Sequence, residues 1–186
     1  MSNKRYDLVI GNPPYLKLSA KNSHLKSYQS AVSDDSANNI AAFFIEKAIT
    51  IADNVAFVLP KNFLCNKEYI CARERVSKNS ITNIIDFGEY GFRGVHIETI
   101  FIIVNTLKKG GKTLVKSLPK QIKIIQKQNY VTDKDLPNWI IYRDETFDTV
   151  LKNKEFNVFS SFRDRQITKG SLSVNANTWV VKSRNI

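Results

Sequence analysis

The stretch YDLVIGNPPYLK, from Tyr6 to Lys17, joins a short apolar segment to a polar tetrapeptide that contains two prolines. Its first half is rich in aliphatic and β-branched residues, and Gly11 and the prolines close it. This pattern is typical of a buried parallel strand that ends in a loop. The stretch therefore predicts an α/β fold with the tetrapeptide NPPY at the carboxyl end of a strand, where open α/β sheets bind ligands.

The segments downstream alternate between helical and strand patterns. Residues 16–39 are rich in Ser, Lys, Asn and Asp, which predicts a long polar loop. From about Ser36, apolar residues recur every three or four positions, so we expect a helix that packs against a sheet. The run VAFVLP, residues 55–60, predicts a second buried strand, and Asn66 is the predicted N-cap of a helix that ends near Lys78.

Two β-rich runs, residues 81–87 and 98–107, are joined by a glycine-containing loop and predict an antiparallel hairpin. The order strand, helix, strand, helix, strand, strand indicates a partial Rossmann-like α/β sheet with this hairpin at its edge. Residues 108–112, KKGGK, are typical of a linker. We therefore divide the chain into residues 1–107, part of an α/β domain, and residues 108–186, a small mixed and β-rich segment.

The charge of the chain is uneven. The net charge is +11, and residues 107–186 carry 16 Lys and Arg against 7 Asp and Glu. A basic surface favours a polyanionic partner, because Lys and Arg near phosphates release condensed counterions. A basic soluble protein without such a partner is an equally open interpretation.

Few other residue types suggest chemistry. Cys65 and Cys71 are the only cysteines, too few for a disulfide framework, so we expect reduced thiols in a cytoplasmic protein. His24 and His96 have no partners at metal-ligand spacing, so no metal site is predicted. Neither a signal-peptide pattern nor an apolar run of membrane-spanning length is present, and no membrane partner is expected.

The tetrapeptide is suited to holding an amino group. Proline lacks an N–H and stiffens the backbone, so Asn12, Pro13 and Pro14 form a rigid segment whose free polar groups are mostly acceptors. The Asn12 side-chain oxygen and the Pro13 carbonyl could together accept both N–H groups of an exocyclic amine. Such a geometry would direct the nitrogen lone pair at an electrophile. Tyr15 offers a flat face on which a planar base could stack.

These residues resemble a family. The blocks YDLVIGNPPY, NNIAAFFIEKAITIA, VAFVLPKNFL and IIDFGEYGFRGVHIETIFIIVN are similar, in order and spacing, to the later half of the catalytic domain of bacterial N6-adenine DNA methyltransferases. The resemblance is to the NPPY type, also called gamma-like, of restriction-modification systems. It covers about residues 6–107.

The resemblance implies a reaction and a set of partners. The methyl donor would be S-adenosylmethionine, and the substrate would be an adenine flipped out of double-stranded DNA. Asn12, Pro13, Pro14 and Tyr15 match the catalytic motif of the family. Phe92 matches an aromatic residue that holds the base from its other side, with Tyr90 as the alternative.

The sequence also departs from the family pattern. The family binds its cofactor with a glycine-containing loop upstream of the motif, but no glycine precedes Gly11. We therefore expect a fragment, a truncated gene product or one part of a split enzyme, and in the last case a separate chain would supply the cofactor-binding half. The sheet edge left exposed by missing strands should favour aggregation or pairing with another chain. The basic segment, including residues 167–181, resembles the start of a target-recognition domain. Its candidate DNA-binding residues, together with one near the motif, are Lys17, Lys108, Lys109, Lys112, Lys116, Lys120, Lys123 and Lys127.

Two other functions stay open at this point. The same motif serves methyltransferases that act on protein glutamine or on ribosomal RNA, although the basic extension favours DNA. Alternatively, the chain is a DNA-binding module without chemistry. We expect the isolated chain to be inactive because the cofactor pocket is incomplete.

Overall fold

A computed structural model describes residues 4–91 and 97–155 of this protein. Its centre is a six-stranded mixed sheet with helices, so the predicted α/β class is confirmed. The strand order is β1-β2-β4-β3-β5-β6. The strands are β1 (Tyr6–Gly11), β2 (Ala52–Pro60), β3 (Ser80–Gly88), β4 (Thr99–Asn105), β5 (Lys112–Ser117) and β6 (Ile122–Lys127).

Four of the six strands run in the same direction. β1 is parallel to β2, β4 is antiparallel to both β2 and β3, and β5 is parallel to β3. The carboxyl ends of β1, β2, β3 and β5 therefore lie along one edge of the sheet, which we call the carboxyl edge. The predicted hairpin of β3 and β4 is antiparallel, but β4 lies inside the sheet, and β6 is the antiparallel strand at its border.

Helices pack against one face of the sheet. They are α1 (Leu25–Val32), α2 (Ile40–Ile51), α3 (Ile70–Ser77) and the single turn α4 (Gln128–Val131). Alternate side chains of the strands form one buried core with α2 and α3, because successive residues of a strand point to opposite faces. Its fully buried members include Ile45, Val55, Leu59, Val76, Ile84, Ile102 and Val115.

The strand that carries the motif is less buried than predicted. Leu8 is 53% exposed and Ile10 is 70% exposed, so the prediction of a buried β1 is wrong. Within the described residues β1 pairs only with β2, and on the face of the sheet that carries Leu8 and Ile10, side chains such as Val58 and Phe101 are only half-buried. Only Val9 of β1 is packed against the core.

Two local predictions are also wrong. The predicted loop of residues 16–39 contains α1, because Leu25 and Val32 lie one above the other on a helix and are buried in a small cluster. The short length and polar surface of α1 conceal this pattern in the sequence. The helix after β2 is present as α3, but the Asn66 side chain makes no capping hydrogen bond, since a short 3-10 turn at Lys67–Tyr69 precedes the helix.

The chain forms two compact units, residues 1–144 and residues 145–186. The predicted strands beyond residue 112 are β5 and β6, and they continue the same sheet as β3. The helix α5 (Glu145–Lys152) belongs to the second unit. The functional boundary after residue 107 stays a prediction. None of the described helices is long and apolar enough to span a membrane.

Candidate active site

The NPPY tetrapeptide leaves the sheet directly after β1, at the carboxyl edge. Asn12 and Pro14 are exposed, Pro13 is buried, and Tyr15 is half-buried with its ring against the main core. The stiff Pro-Pro segment thus places one polar side chain and one aromatic ring beside each other at the rim of the sheet.

Asn12 and Tyr15 are hydrogen-bonded to each other. The Tyr15 hydroxyl donates to Asn12 Oδ1 over 2.8 Å. Burial raises the pKa of Tyr15 to about 12, so the hydroxyl keeps its proton at neutral pH and stays a donor. Among the residues that the structure describes, none donates a hydrogen bond to the Pro13 carbonyl. Because an amide oxygen has two lone pairs, Asn12 Oδ1 and the Pro13 carbonyl retain capacity for two further N–H donors.

The segment after the motif is fixed to the start of α2. Leu16 accepts a backbone hydrogen bond from Ile40 over 2.9 Å, and the Leu18 N–H donates to the Asn38 carbonyl over 2.7 Å. Asn39 caps the helix, with its Oδ1 accepting from the Ala41 N–H over 3.0 Å. The motif is therefore held between the end of a strand and the beginning of a helix.

Lys17, a predicted DNA-binding residue, lies next to a carboxylate. Its Nζ is 3.3 Å from Glu68 Oε2, and Asn39 Nδ2 donates to Glu68 Oε1 over 3.1 Å. The lysine side chain is 63% exposed, so it can leave this pair at little cost. Its contact with DNA stays a prediction.

A second polar cluster, missed in the sequence, lies at the same edge of the sheet. Lys61 follows β2, and its Nζ is 3.2 Å from Asp86 Oδ2 and 3.0 Å from Glu98 Oε1. The Tyr142 hydroxyl also donates to Asp86, and the Gly88 N–H donates to Asp86 Oδ1 over 2.8 Å. The only sequence signal was an acidic residue inside the apolar run IIDF.

The electrostatics of this cluster follow from the buried Asp86, whose side chain is 2% exposed. Burial lowers the pKa of Lys61, but its hydrogen bonds to Glu98 and Asp86 outweigh that effect and leave the pKa raised. Burial, with the hydrogen bond to Asp86, raises the pKa of Tyr142. An open cavity of about 610 Å³ beside the cluster is lined by Pro60, Lys61, Leu64, Glu98, Trp139 and Tyr142.

Some predictions fall outside the described residues. They are the predicted base-stacking Phe92, the side chain of its alternative Tyr90, and residues 156–186 with their predicted target-recognition start. The lysines between residues 108 and 127 are all exposed, four of them on β5 and β6. Within the described part of the chain, no group of three or more His, Cys, Asp or Glu residues could hold a metal ion.

The described residues fit a methyl acceptor better than S-adenosylmethionine. The motif supplies acceptor groups and an aromatic ring, which suit a planar amine. The connections from β1 to α1 and from β2 to α3 contain no glycine besides Gly11 at the end of β1. These two connections therefore do not form a glycine-containing loop of the kind that would hold the methyl donor.

Several solved structures have a similar fold. The chain is similar to a nuclease-deletion mutant of the Type ISP restriction-modification enzyme LlaGI in complex with a DNA substrate mimic, with a TM-score of 0.53, 13% identity and coverage of 78% of this chain and 16% of that chain. It is also similar to the type I methyltransferase subunit from Streptococcus thermophilus, with a TM-score of 0.51, 20% identity and coverage of 82% and 32%.

A third similar structure is a modification subunit of a type I restriction enzyme from Vibrio vulnificus YJ016, with a TM-score of 0.52 and 16% identity over 63% of this chain. The matched part of this chain spans only about a quarter, 26%, of that subunit. A search of curated protein sequences finds no significant match. Residues 1–92, which carry β1, the tetrapeptide and the elements as far as β3, match the family described as Eco57I restriction-modification methylase.

Proposed function

We propose that this chain supplies the methyl-acceptor side of a DNA methyltransferase that modifies adenine N6, with S-adenosylmethionine as the methyl donor. The observation that carries the proposal is the hydrogen bond from the Tyr15 hydroxyl to Asn12 Oδ1, in a motif that follows β1 at the carboxyl edge and whose Pro13 carbonyl accepts from no described residue. The family match of residues 1–92 and the likeness to restriction-modification structures support the same assignment.

In this proposal, the motif acts by position and electrostatics. The two oxygens accept the N–H groups of the adenine amine, so that its lone pair points away from the ring plane and towards the donor. Tyr15 stacks on the flipped base, and its neutral hydroxyl orients Asn12. Phe92 is proposed to lie on the other side of the base. None of these roles requires a strong base.

The donor-binding half is proposed to come from a companion segment that docks at β1. Support comes from the outer position of β1 and the exposed Leu8 and Ile10 on it. An edge strand with exposed apolar side chains favours pairing with a further strand. We expect the chain to be inactive without that segment.

The test is methyl transfer from labelled S-adenosylmethionine to DNA by the chain together with its companion segment. We expect N6-methyladenine in the digested product, and near-complete loss of label in Asn12→Ala. The matched control is Asn129→Ala, which changes an exposed asparagine of α4 and should leave the rate unchanged. Label on protein or RNA instead of DNA would refute the assignment, as would full activity in Asn12→Ala.

A further inference from the structure

Four lysines of β5 and β6 share one face of the sheet. In the antiparallel register, Lys112 is opposite Lys127 and Lys116 is opposite Lys123, with Leu114 opposite Ile125 between them. Residues directly opposite each other in such a pair point to the same side. All four lysines are exposed. We call Lys112, Lys116, Lys123 and Lys127 the lysine face.

The charges of this face are not balanced by the chain itself. Directly opposite residues have Cβ atoms only about 4.5–5.5 Å apart, so each lysine pair is a destabilising like-charge contact. No Asp or Glu occurs between Glu98 and Asp133 in the sequence. Within the described residues, none of the four lysines takes part in a salt bridge. The repulsion is therefore not offset by an acidic side chain of the described residues, and this surface is open to a polyanion.

Protection of a sheet edge explains only part of this arrangement. Lysines on an outer strand prevent it from pairing with other chains, which accounts for Lys123 and Lys127 on β6. β5, however, is paired on both sides, with β3 and with β6. Lys112 and Lys116 therefore protect no edge, yet they face the same way and add to the repulsion.

The geometry suits a regular polyanion. Lys112 and Lys116 are four residues apart, or about 13 Å along the strand. That distance corresponds to about four nucleotides of one DNA strand at 3.4 Å each. The carboxyl end of β5 lies on the same edge as the NPPY motif, four strand spacings from β1, or about 19 Å. A duplex with its target base at Asn12 would reach the lysine face within about six nucleotides.

We propose that the lysine face binds the phosphate backbone of the duplex DNA that carries the target base. This inference rests on the proposed function for the identity of the polyanion. Binding here is independent of sequence, because lysine contacts to phosphates carry no base information. The surface orients and retains DNA, whereas the residues of the motif perform the chemistry.

The test uses the full chain and a short, end-labelled duplex, with fluorescence anisotropy between about 50 and 200 mM salt. The key variant replaces all four lysines of the face by Gln. Its control replaces four other exposed lysines, Lys21, Lys26, Lys47 and Lys78, by Gln and has the same net charge. We expect the slope of log K against log salt to become shallower by up to about 3.6 in the key variant, since each phosphate contact contributes about 0.9. The control should change the slope much less.

Two double variants test whether the effect of the key variant comes from lost phosphate contacts or from misfolding. Changing only Lys112 with Lys127, or only Lys116 with Lys123, should each reduce the slope by up to about 1.8. Melting temperatures at or above that of the unchanged chain would show that the fold persists. Equal effects in the key and control variants would overturn the proposal, as would no salt-dependent DNA binding by the unchanged chain.

The remaining outcomes separate this surface from other partners and from the catalytic proposal. The key variant is also tested for binding to phosphatidylserine vesicles. If it loses vesicle binding but keeps the DNA affinity of the unchanged chain, the lysine face binds a membrane surface and the proposal is overturned. The anisotropy measurement involves no methyl transfer. An absence of methyl transfer in the activity assay would therefore leave the DNA-binding result standing, and the two proposals fail separately.

Discussion

The Tyr15 hydroxyl donates a hydrogen bond to Asn12 Oδ1 over 2.8 Å, so two residues of the same tetrapeptide hold each other in place. The bond fixes the asparagine amide with its oxygen towards the tyrosine, and burial keeps the hydroxyl protonated. One lone pair of Oδ1 is thereby occupied and the other stays available to a substrate amine. Tyr15 therefore has two separable roles in the proposed reaction, as a stacking surface and as a support for Asn12.

The two roles predict different effects for two substitutions of Tyr15. Tyr15→Phe keeps the ring and removes a hydrogen bond worth about 0.5–1.5 kcal/mol, so we expect kcat/KM to fall by no more than about tenfold. Tyr15→Ala also removes stacking worth about 1–3 kcal/mol per base and should cost substantially more. Methyl transfer kinetics in the reconstituted enzyme measure both. Equal losses in the two variants would show that stacking by Tyr15 does not contribute.

The sequence predicted the elements well and their exposure poorly. β1 was identified from its aliphatic run. The sequence of an apolar strand does not show whether another element covers its side chains, so the exposure of Leu8 and Ile10 was not predicted. The cluster of Lys61, Asp86 and Tyr142 was also missed, because it brings together side chains that are distant in the sequence. By contrast, the motif was found because its groups are consecutive and stiffened by proline.

Both the backbone conformation and the surroundings of position 88 require a glycine. Its φ is +56°, and a Cβ there would lie 2.5 Å from Pro119 Cγ. We expect Gly88→Ala to lower the free energy of unfolding by about 2–4 kcal/mol, from backbone strain and overpacking together. Denaturant unfolding measures the loss.

Gly110 provides the matched control for this effect. Its φ is +60°, but no described atom would lie within 4 Å of an added Cβ. Gly110→Ala should therefore show only the backbone cost, about 1–2 kcal/mol. Adding Pro119→Ala should restore part of the stability of Gly88→Ala and none of that of Gly110→Ala. Identical losses at the two glycines would mean that the contact with Pro119 is unimportant.

Reversing one charge of the lysine face should change stability and DNA affinity in opposite directions. Lys116→Glu replaces a like-charge pair with a cross-strand ion pair to Lys123, which we expect to raise stability by about 0.2–1 kcal/mol. The gain should shrink at high salt because the pair is exposed. The same variant should bind duplex DNA more weakly than the unchanged chain.

Lys78→Glu is the control for this charge reversal, since it alters net charge equally at an exposed position after α3. Thermal melts at low and high salt, together with anisotropy, compare the two variants with the unchanged chain. A stability gain as large in Lys78→Glu would attribute the effect to net charge, and not to the pair of Lys116 and Lys123.

The buried carboxyl group of Glu46 makes stability depend on pH. Burial raises its pKa from the ordinary 4.5 to about 7, with Asp34 adding to the rise and Arg75, whose Nη1 lies 2.7 Å from Glu46 Oε2, opposing it. Between pH 4.5 and about pH 7, Glu46 is therefore protonated in the folded state and ionised in the unfolded state. The free energy of unfolding falls as pH rises through this range, by about 3 kcal/mol in total.

Glu46→Gln should abolish this dependence, because the amide is uncharged at every pH. Arg75 keeps acceptors in the variant, namely the carbonyls of Val32 and Ser33. We expect the melting temperature of the unchanged chain to fall from about pH 5 to about pH 8 and that of Glu46→Gln to stay level across the same range. Glu74→Gln, at an exposed position of α3, should behave like the unchanged chain. A steep decline that persists in Glu46→Gln would assign the pH dependence to another group.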